Sequence, residues 1–201
     1  MIIDPKSDVS AFVLAGGKSS RMGQDKTLLT WEGETLLTRS VRLLQSVSNT
    51  VRIVGSISKF PNFSEVVEDI FPDCGPLGGI HAALANSTTE LNLVIAVDMP
   101  TITAPLLVYL LRRAKDSRAM VTVPRTADGW QPLCAIYRKS LQPFAEQALK
   151  ARDYKIDHLF SQVNVCEISG VELAEHGFSD AQFHNLNTPE DVRTAERTGK
   201  R

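Results

Sequence analysis

The stretch Leu14-Ala15-Gly16-Gly17-Lys18-Ser19-Ser20-Arg21-Met22-Gly23-Gln24-Asp25-Lys26 decides the fold, because it continues the apolar run Ala11-Phe12-Val13-Leu14. Glycine has no Cβ and lets the backbone approach a ligand closely. Successive backbone N–H groups in such a turn form a concave anion site. Arg21 and Lys26 add positive charge that the backbone cannot supply. The pattern predicts a nucleoside triphosphate at a strand-to-loop junction, with a glycine-rich turn and a solvated basic tail as the alternative.

Two familiar phosphate-binding motifs fail by spacing. A Walker loop has four residues between its glycines, followed directly by Lys and Ser or Thr. Here five residues separate Gly17 from Gly23, and Gln24 follows. The dinucleotide fingerprint GxGxxG is excluded because Gly16 and Gly17 are adjacent. The loop therefore belongs to another class of nucleotide site.

Size and composition predict one globular domain over residues 1–201. The chain has 201 residues, 43% of them hydrophobic and 22% charged, which is near the globular average. Its net charge of −1 argues against a nucleic-acid partner. The N-terminus lacks the apolar core of a signal peptide, and no apolar run is long enough for a membrane span. Three widely spaced cysteines suit free thiols rather than a zinc site. We expect a cytoplasmic protein without a membrane partner, frayed over residues 196–201.

Short apolar runs alternate with stretches of helical period, which predicts an α/β fold. The expected architecture has three layers, with helices on both faces of a mostly parallel, twisted sheet. Leu91–Val97 is the most apolar run and suits a central parallel strand. The other predicted strands are 12–14, 51–54, 66–67, 120–123, 133–137 and 163–168. The predicted helices are 35–47, 76–85, one that Thr103 caps, 141–150, 154–160 and one that begins at Thr188.

Two aspartates follow predicted strands, at the edge where parallel sheets bind ligands. Asp98 ends the most apolar strand, where a carboxylate is costly without a partner. Mg²⁺ prefers one or two carboxylates together with substrate phosphates, so Asp98 is the candidate metal ligand. Asp69, after Val66-Val67, is a second acidic contact. The alternatives are a helix-capping role for Asp98 and a solvated loop position for Asp69.

The LAGGxSxRMGxDK pattern of residues 14–26 resembles the molybdenum cofactor guanylyltransferase family, nucleotidyltransferases with a Rossmann-like core. The resemblance extends through Gly75-Pro76-Leu77-Gly78-Gly79, Val97-Asp98-Met99-Pro100, Gln131-Pro132-Leu133 and Asn185-Leu186-Asn187-Thr188-Pro189-Glu190. It implies the substrates GTP and molybdenum-bound molybdopterin. It also implies transient contacts with proteins that deliver the cofactor and accept the product.

The resemblance assigns residues to the two substrates. For the nucleotide it implies Leu14, Ala15, Gly16, Gly17, Lys26, Asp69 and Asp98. Asn185 and Asn187 lie towards the molybdopterin side, and they share one face of an extended segment. The alternative for Asn187 is a part in starting the last helix. The family often has an Asn near the end of the second strand, where this chain has Ile53-Val54-Gly55-Ser56, and that departure bears on base specificity.

The expected chemistry is nucleotidyl transfer by positioning and charge neutralisation. The pattern contains no Ser/His/Asp or Cys/His pairing for covalent catalysis. A phosphate nucleophile is already ionised near neutral pH and needs no general base. Arg21 and Lys26 suit the triphosphate and the leaving pyrophosphate, and Mg²⁺ at Asp98 suits the reacting centre. These three residues are the predicted catalytic set.

Three alternative functions stay open on the sequence. One is a cytidylyltransferase for the same cofactor, although that group usually has LAAG where this chain has Gly17. Another is a nucleotidyltransferase for a sugar phosphate or phospholactate. The third is a non-catalytic module of the same fold that binds nucleotide or docks a partner. A docking surface has no use for the spacing of Arg21, Lys26 and Asp98.

Overall fold

Strands and helices alternate along the chain in the computed structural model, which describes residues 6–16, 26–186 and 191. The strands are β1 (Val9–Leu14), β2 (Thr30–Trp31), β3 (Glu34–Thr35), β4 (Thr50–Val54), β5 (Val66–Val67), β6 (Leu91–Ala96), β7 (Val121–Thr126), β8 (Gly129–Trp130), β9 (Cys134–Arg138) and β10 (Val165–Ser169). The helices are α1 (Leu36–Gln45), α2 (Gly75–Ala85), α3 (Ala104–Asp116), α4 (Gln142–Lys150), α5 (Ile156–Phe160) and α6 (Gly170–Glu175). None of these helices is both long and apolar enough to cross a membrane.

One mixed sheet of eight strands carries the architecture. Its order is β10-β7-β9-β6-β1-β4-β5, and β8 pairs with the carboxyl end of β7. Strand β1 is parallel to both β4 and β6, β4 to β5, and β7 to β10. Strand β9 runs antiparallel between β6 and β7. The carboxyl ends of β1, β4, β5 and β6 therefore meet along one edge of the sheet, and the start of β9 joins them there.

The two faces of the sheet are covered by separate apolar cores. Along β1, Ala11 and Val13 pack in one core with residues of α1, α3 and α6. Phe12, between them, points to the other core, which contains residues of α2, α4 and α5. This alternation is the period of two expected of a strand that is buried on both sides. The predicted three-layer α/β fold, with a mostly parallel sheet, is confirmed.

Local sequence explains the helix starts. The Thr35 hydroxyl accepts a hydrogen bond from the Thr38 amide at 3.1 Å and caps α1. At α3 the residue before the helix is Thr103, as predicted, but its side chain makes no capping bond. The Thr103 hydroxyl instead accepts a bond from Gln182 Nε2 at 2.9 Å. Thr103 therefore stands directly before α3, as predicted, but it does not make the predicted capping hydrogen bond.

Several elements differ from the sequence prediction. Strand β6 has a parallel neighbour on one side only, since β9 lies antiparallel on the other. The β2–β3 hairpin was not expected; it turns through Glu32 (φ 50°) and Gly33 (φ 83°). Helix α6 and the two-residue strand β8 were also missed. The helix predicted at Thr188, the tail 196–201 and most of the glycine–cation loop fall outside the described residues.

Gly78 permits the close approach of α2 to the loop after β5. A Cβ at this position would lie 2.8 Å from the Phe71 carbonyl oxygen and 3.0 Å from Asp69 Oδ1. Real Cβ atoms do not occur at such distances from backbone, so a larger residue would push α2 away from the loop. The glycine therefore holds the start of α2 against a carboxylate of the candidate site.

We predict that Gly78→Ala destabilises the protein by about 1–3 kcal/mol, the usual cost of overpacking. Replacing an ordinary helical glycine by alanine instead stabilises a protein by about 1 kcal/mol. A loss of stability in Gly78→Ala would therefore indicate the close contact with the loop after β5. Urea unfolding of wild type and variant measures the difference. Gly170→Ala, at the start of α6 with its nearest neighbour at 3.6 Å, is the matched control and should leave stability equal or raised. Equal stability of Gly78→Ala and wild type would contradict the prediction.

Candidate active site

A cavity of about 770 Å³ opens along the carboxyl edge of the sheet. It is lined by segments that follow β1, β4, β5 and β6, by the start of α2 and by the residue before β9. The lining residues are Leu14, Ala15, Gly16, Lys26, Thr27, Val54, Gly55, Ser56, Lys59, Glu68, Asp69, Pro72, Asp73, Gly75, Pro76, Gly79, Ala96, Val97, Asp98 and Leu133. Ligand sites of α/β folds occur at this edge.

Lys26 and Asp98 form an ion pair in the cavity wall. Lys26 Nζ lies 2.8 Å from Asp98 Oδ2, and the two side chains are 33% and 14% exposed. Asp98 follows β6, whose six residues are all buried. A carboxylate in that position needs a cation or hydrogen-bond donors close by, and Lys26 supplies both. The structure thus brings together two of the three predicted catalytic residues; Arg21 lies outside the described part.

The residues at the end of β1 take part in the sheet as well as in the cavity. The Ala15 amide donates to the Val54 carbonyl at 3.0 Å, and the Leu14 carbonyl accepts from the Val97 amide at 3.1 Å. Strand β4 thus uses the Ala15 amide to extend its pairing, so this amide is not among the donors of the predicted anion site. The Leu14 side chain packs against Gly79 of α2, and Gly16 is exposed at the cavity. Gly17 is outside the described residues.

A group of acidic residues lies at the other end of the cavity, after β5. Asp69 is half-buried, and Glu68 and Asp73 are exposed. Burial raises the pKa of the Asp69 carboxyl; the charge of Asp73 adds to this shift, and the Phe71 amide, 3.3 Å from Oδ1, opposes it. Asp73 has a φ of 64°, a conformation that costs a non-glycine residue about 1–3 kcal/mol and clusters at functional sites.

Lys59 is a cavity residue that the sequence analysis missed. It ends the short 3₁₀ turn Ile57–Lys59 after β4 and is half-buried. Its Nζ lies 3.4 Å from the Ala15 carbonyl oxygen and 5.3 Å from the centre of the Phe60 ring. A lysine five residues beyond a strand looks like a solvated loop cation in sequence. The one available indication that Lys59 lines the cavity was that it follows β4, the strand next to β1.

Of the described residues predicted for the second substrate, Leu133 lines the cavity, and Gln131 and Asn185 do not. Asn185 is exposed and is not part of the cavity lining. It is nevertheless held near the site, because the next residue, Leu186, donates its amide to the Asp98 carbonyl at 2.7 Å. Gln131 Nε2 donates to the Thr126 hydroxyl at 2.8 Å and is used by the β7–β8 turn. Asn187 falls outside the described residues.

The donor set suits a metal that is shared with a substrate. Within residues 6–16 and 26–186, no cluster of three or more His, Cys, Asp or Glu could enclose a metal ion. Asp98 is a single, mostly buried carboxylate at the cavity, already paired with a cation. Mg²⁺ commonly takes one or two carboxylates and completes its shell with water and phosphates. The residues present therefore fit Mg²⁺ that arrives with a nucleotide, and do not fit a metal held by protein ligands alone.

Comparison with known proteins agrees with this geometry. The family model of the MobA-like NTP transferase domain matches residues 11–165. The chain belongs to this family. A probable molybdenum cofactor guanylyltransferase of Pelotomaculum thermopropionicum is 35% identical over 94% of this chain and 95% of its own length. A protein of the same description from Clostridium perfringens is 34% identical over 90% of this chain and 93% of its own length.

A solved structure shows the same fold. The crystal structure of molybdopterin-guanine dinucleotide biosynthesis protein A from Archaeoglobus fulgidus superposes with a TM-score of 0.81 at 26% identity. The match covers 95% of this chain and 98% of that one. The family resemblance that the sequence predicted is confirmed, and with it the assignment to the nucleotidyltransferases.

We predict that Asp69→Asn raises thermal stability in the absence of ligand. Asparagine keeps the shape of the side chain and removes its charge. Because the pKa of Asp69 is raised on folding, its ionisation favours the unfolded chain. This cost is absent below the unfolded pKa, grows as the pH rises to the folded pKa and is constant above it. A Tm gain of about 1–2 °C at pH 7.5 is expected, equivalent to a few tenths of a kcal/mol in a chain of this length.

Thermal unfolding between pH 4 and pH 7.5 measures this gain. It should shrink towards pH 4. A variant that is less stable than wild type at pH 7.5, or a gain that does not change with pH, would refute the assigned burial cost.

Proposed function

We propose that the protein transfers the GMP moiety of GTP to the terminal phosphate of molybdenum-bound molybdopterin and releases pyrophosphate. The observation that carries this proposal is the Lys26–Asp98 pair in the wall of a nucleotide-sized cavity. The family supports nucleotidyl transfer. The relatives described as probable molybdenum cofactor guanylyltransferases support the choice of both substrates.

The reaction requires alignment rather than proton transfer. An oxygen of the molybdopterin phosphate attacks the α-phosphorus of GTP, and the bond from that phosphorus to the β-bridging oxygen breaks. The attacking phosphate is largely ionised near neutral pH, so no side chain must remove a proton. The leaving pyrophosphate takes the electron pair as negative charge. Positioning and electrostatic stabilisation supply most of the acceleration in reactions of this type.

Lys26 and Arg21 carry the cationic part of this work. Lys26 binds the triphosphate with its ammonium group and remains near the leaving pyrophosphate as charge develops there. Arg21 offers a planar fork for the same phosphates. Lys26 is held at the cavity by Asp98, whose Oδ2 lies 2.8 Å from its Nζ. An ammonium placed in advance need not reorganise during the reaction, which is the source of its catalytic value.

Asp98 holds the reacting centre. It would ligate Mg²⁺, which when bound neutralises charge at the α-phosphate. The main chain of Asp98 is fixed on the other side, since its carbonyl accepts the Leu186 amide. That bond brings Leu186, and with it the neighbouring Asn185, close to Asp98; Asn187 lies two positions further along the sequence. We assign both amides to the molybdopterin phosphate or pterin, which need donors and acceptors together.

The remaining nucleotide contacts come from the β1 and β5 ends. Leu14, Ala15 and Gly16 line the cavity, and we assign them and the next residue, Gly17, to nucleoside binding. Asp69, on the far side of the cavity, contacts the base or ribose.

We further propose that residues 1–201 act as one domain, because a single sheet includes strands from β1 to β10. A cytoplasmic location is consistent with three free cysteines. Transient contacts with cofactor-delivery and acceptor proteins complete the proposal.

We predict different defects for the two members of the ion pair. Lys26→Ala removes a charge-assisted contact and should weaken GTP binding about ten- to hundredfold. Asp98→Asn should leave GTP affinity closer to wild type, lower turnover by a similar factor and raise the Mg²⁺ concentration needed for half-maximal activity. Calorimetry with GTP and the rate of pyrophosphate release with molybdopterin separate the two. The exposed controls Lys155→Ala and Asp157→Asn should behave as wild type. Unchanged activity in either site variant would remove its assigned role.

We also predict that GTP binds more tightly than CTP in the presence of Mg²⁺. Isothermal titration of the full chain with each nucleotide measures the preference. Tighter binding of CTP would favour the cytidylyltransferase alternative. Pyrophosphate release with a sugar phosphate or phospholactate, but not with molybdopterin, would favour a different acceptor. Nucleotide binding that survives Asp98→Asn, in a wild-type protein that shows no turnover, would favour the non-catalytic module.

A further inference from the structure

The order of strands gives the cavity two chemically different ends. Lys26 and Asp98 lie where β1 and β6 end, and the acidic segment around Asp69 lies where β5 ends. Strand β5 is three places from β6 in the sheet, with β1 and β4 between them. At the usual strand spacing this separates the two ends by about 14 Å. A nucleotide with its phosphates at Lys26 therefore extends its base towards β4 and β5.

Lys59 follows β4, between the two ends of the cavity, and its neighbours hold it there. Phe60 is 4% exposed and belongs to the core beneath the sheet. Its ring reaches so close to Gly55 that a Cβ there would lie 2.8 Å from Phe60 Cε2. With Phe60 anchored in this way, the half-buried Lys59 side chain passes over the aromatic ring and ends near the Ala15 carbonyl. Lys59 and Ala15 both line the cavity, so the ammonium group lies at the cavity wall.

The cavity lining offers a donor and an acceptor after two adjacent strands, Lys59 after β4 and Asp69 after β5. An ammonium group has three N–H donors and no acceptor, and an ionised carboxylate only accepts. Guanine offers the matching groups: O6 and N7 accept, and N1–H and the 2-amino group donate. Adenine and cytosine carry an exocyclic amino group where guanine has O6, and a lysine cannot bond to that group. Burial also leaves the Asp69 carboxylate in need of donors, which the guanine edge can supply without adding charge.

We infer that Lys59 is a specificity-determining residue, donating to O6 of guanine while Asp69 accepts from N1–H and the 2-amino group. This inference rests on the proposed function and deepens it, since it assigns the choice of base to two named side chains. Lys59 acts on nucleotide selection. The chemistry at the α-phosphate belongs to the other end of the cavity.

The test compares GTP with 6-thio-GTP, which replaces O6 by sulfur, a weak acceptor, and keeps N1–H and the 2-amino group. Dissociation constants are measured with Mg²⁺ for the full-length wild type and for Lys59→Met, with Lys155→Met as matched control. Wild type and Lys155→Met should prefer GTP by about ten- to hundredfold, the worth of one charge-assisted hydrogen bond. Lys59→Met should lose most of that preference, chiefly by weaker binding of GTP.

A second pair of ligands tests the acceptor. ITP lacks the 2-amino group, so Asp69→Asn should reduce the preference for GTP over ITP and leave the preference over 6-thio-GTP nearly unchanged. The Lys59 variant should show the reverse pattern. This crossed design distinguishes direct contacts from a general distortion of the cavity, which would weaken all three nucleotides in parallel.

Several outcomes overturn the inference. Equal loss of GTP and 6-thio-GTP in Lys59→Met would make Lys59 a phosphate contact or a support for the Ala15 carbonyl. Equal affinities of wild type for GTP and 6-thio-GTP would overturn it without any variant, so the test does not depend on the folding of Lys59→Met. Failure of wild type to bind GTP at all would refute the proposed function itself.

Discussion

The Asp98 carboxylate ends a fully buried strand, and the structure can hold it there because the Lys26 ammonium lies 2.8 Å away. Taking a charge out of water costs several kcal/mol unless a partner offsets it. The pair also joins the 3₁₀ turn Lys26–Leu28 to the segment after β6, in the wall of the cavity. The pair holds both groups at the cavity, where the proposed function uses Lys26 to bind phosphate and Asp98 to bind Mg²⁺.

Parallel strands explain why residues far apart in sequence reach this pair. Each parallel strand must be followed by a crossover, and every crossover starts from the same edge of the sheet. Lys59, Asp69 and Asp98 all belong to segments that begin there. The antiparallel strand β9 contributes by its first end, through Leu133. The topology therefore brings these segments to one edge of the sheet, and the sequence of each loop determines which side chains line the cavity.

Hydrophobic pattern was enough to place most strands of the sheet and, with them, Asp69 and Asp98, because a strand's carboxyl end follows directly from where its apolar run stops. Strand direction was beyond the sequence: the apolar run of β9 is the same whichever way it points. The Ala15 amide bond depends on the register with β4, which no local pattern encodes. Lys59 was missed for a related reason, since its burial comes from Phe60 packing against Gly55 across a turn. The two-residue strands of the β2–β3 hairpin are too short to show a period.

The charges around the cavity bear on the form in which its nucleotide arrives. Among the described residues of the lining, the carboxylates outnumber the lysines; they are Glu68, Asp69, Asp73 and Asp98, against Lys26 and Lys59. Close to these four carboxylates a free triphosphate would meet repulsion, as like charges do at short range. A nucleotide that carries Mg²⁺ on its phosphates reverses this, because the metal adds positive charge where Asp98 lies. Under the proposed function, these carboxylates favour the metal complex over the free nucleotide, and the inferred contacts of Asp69 and Lys59 are to an uncharged base edge.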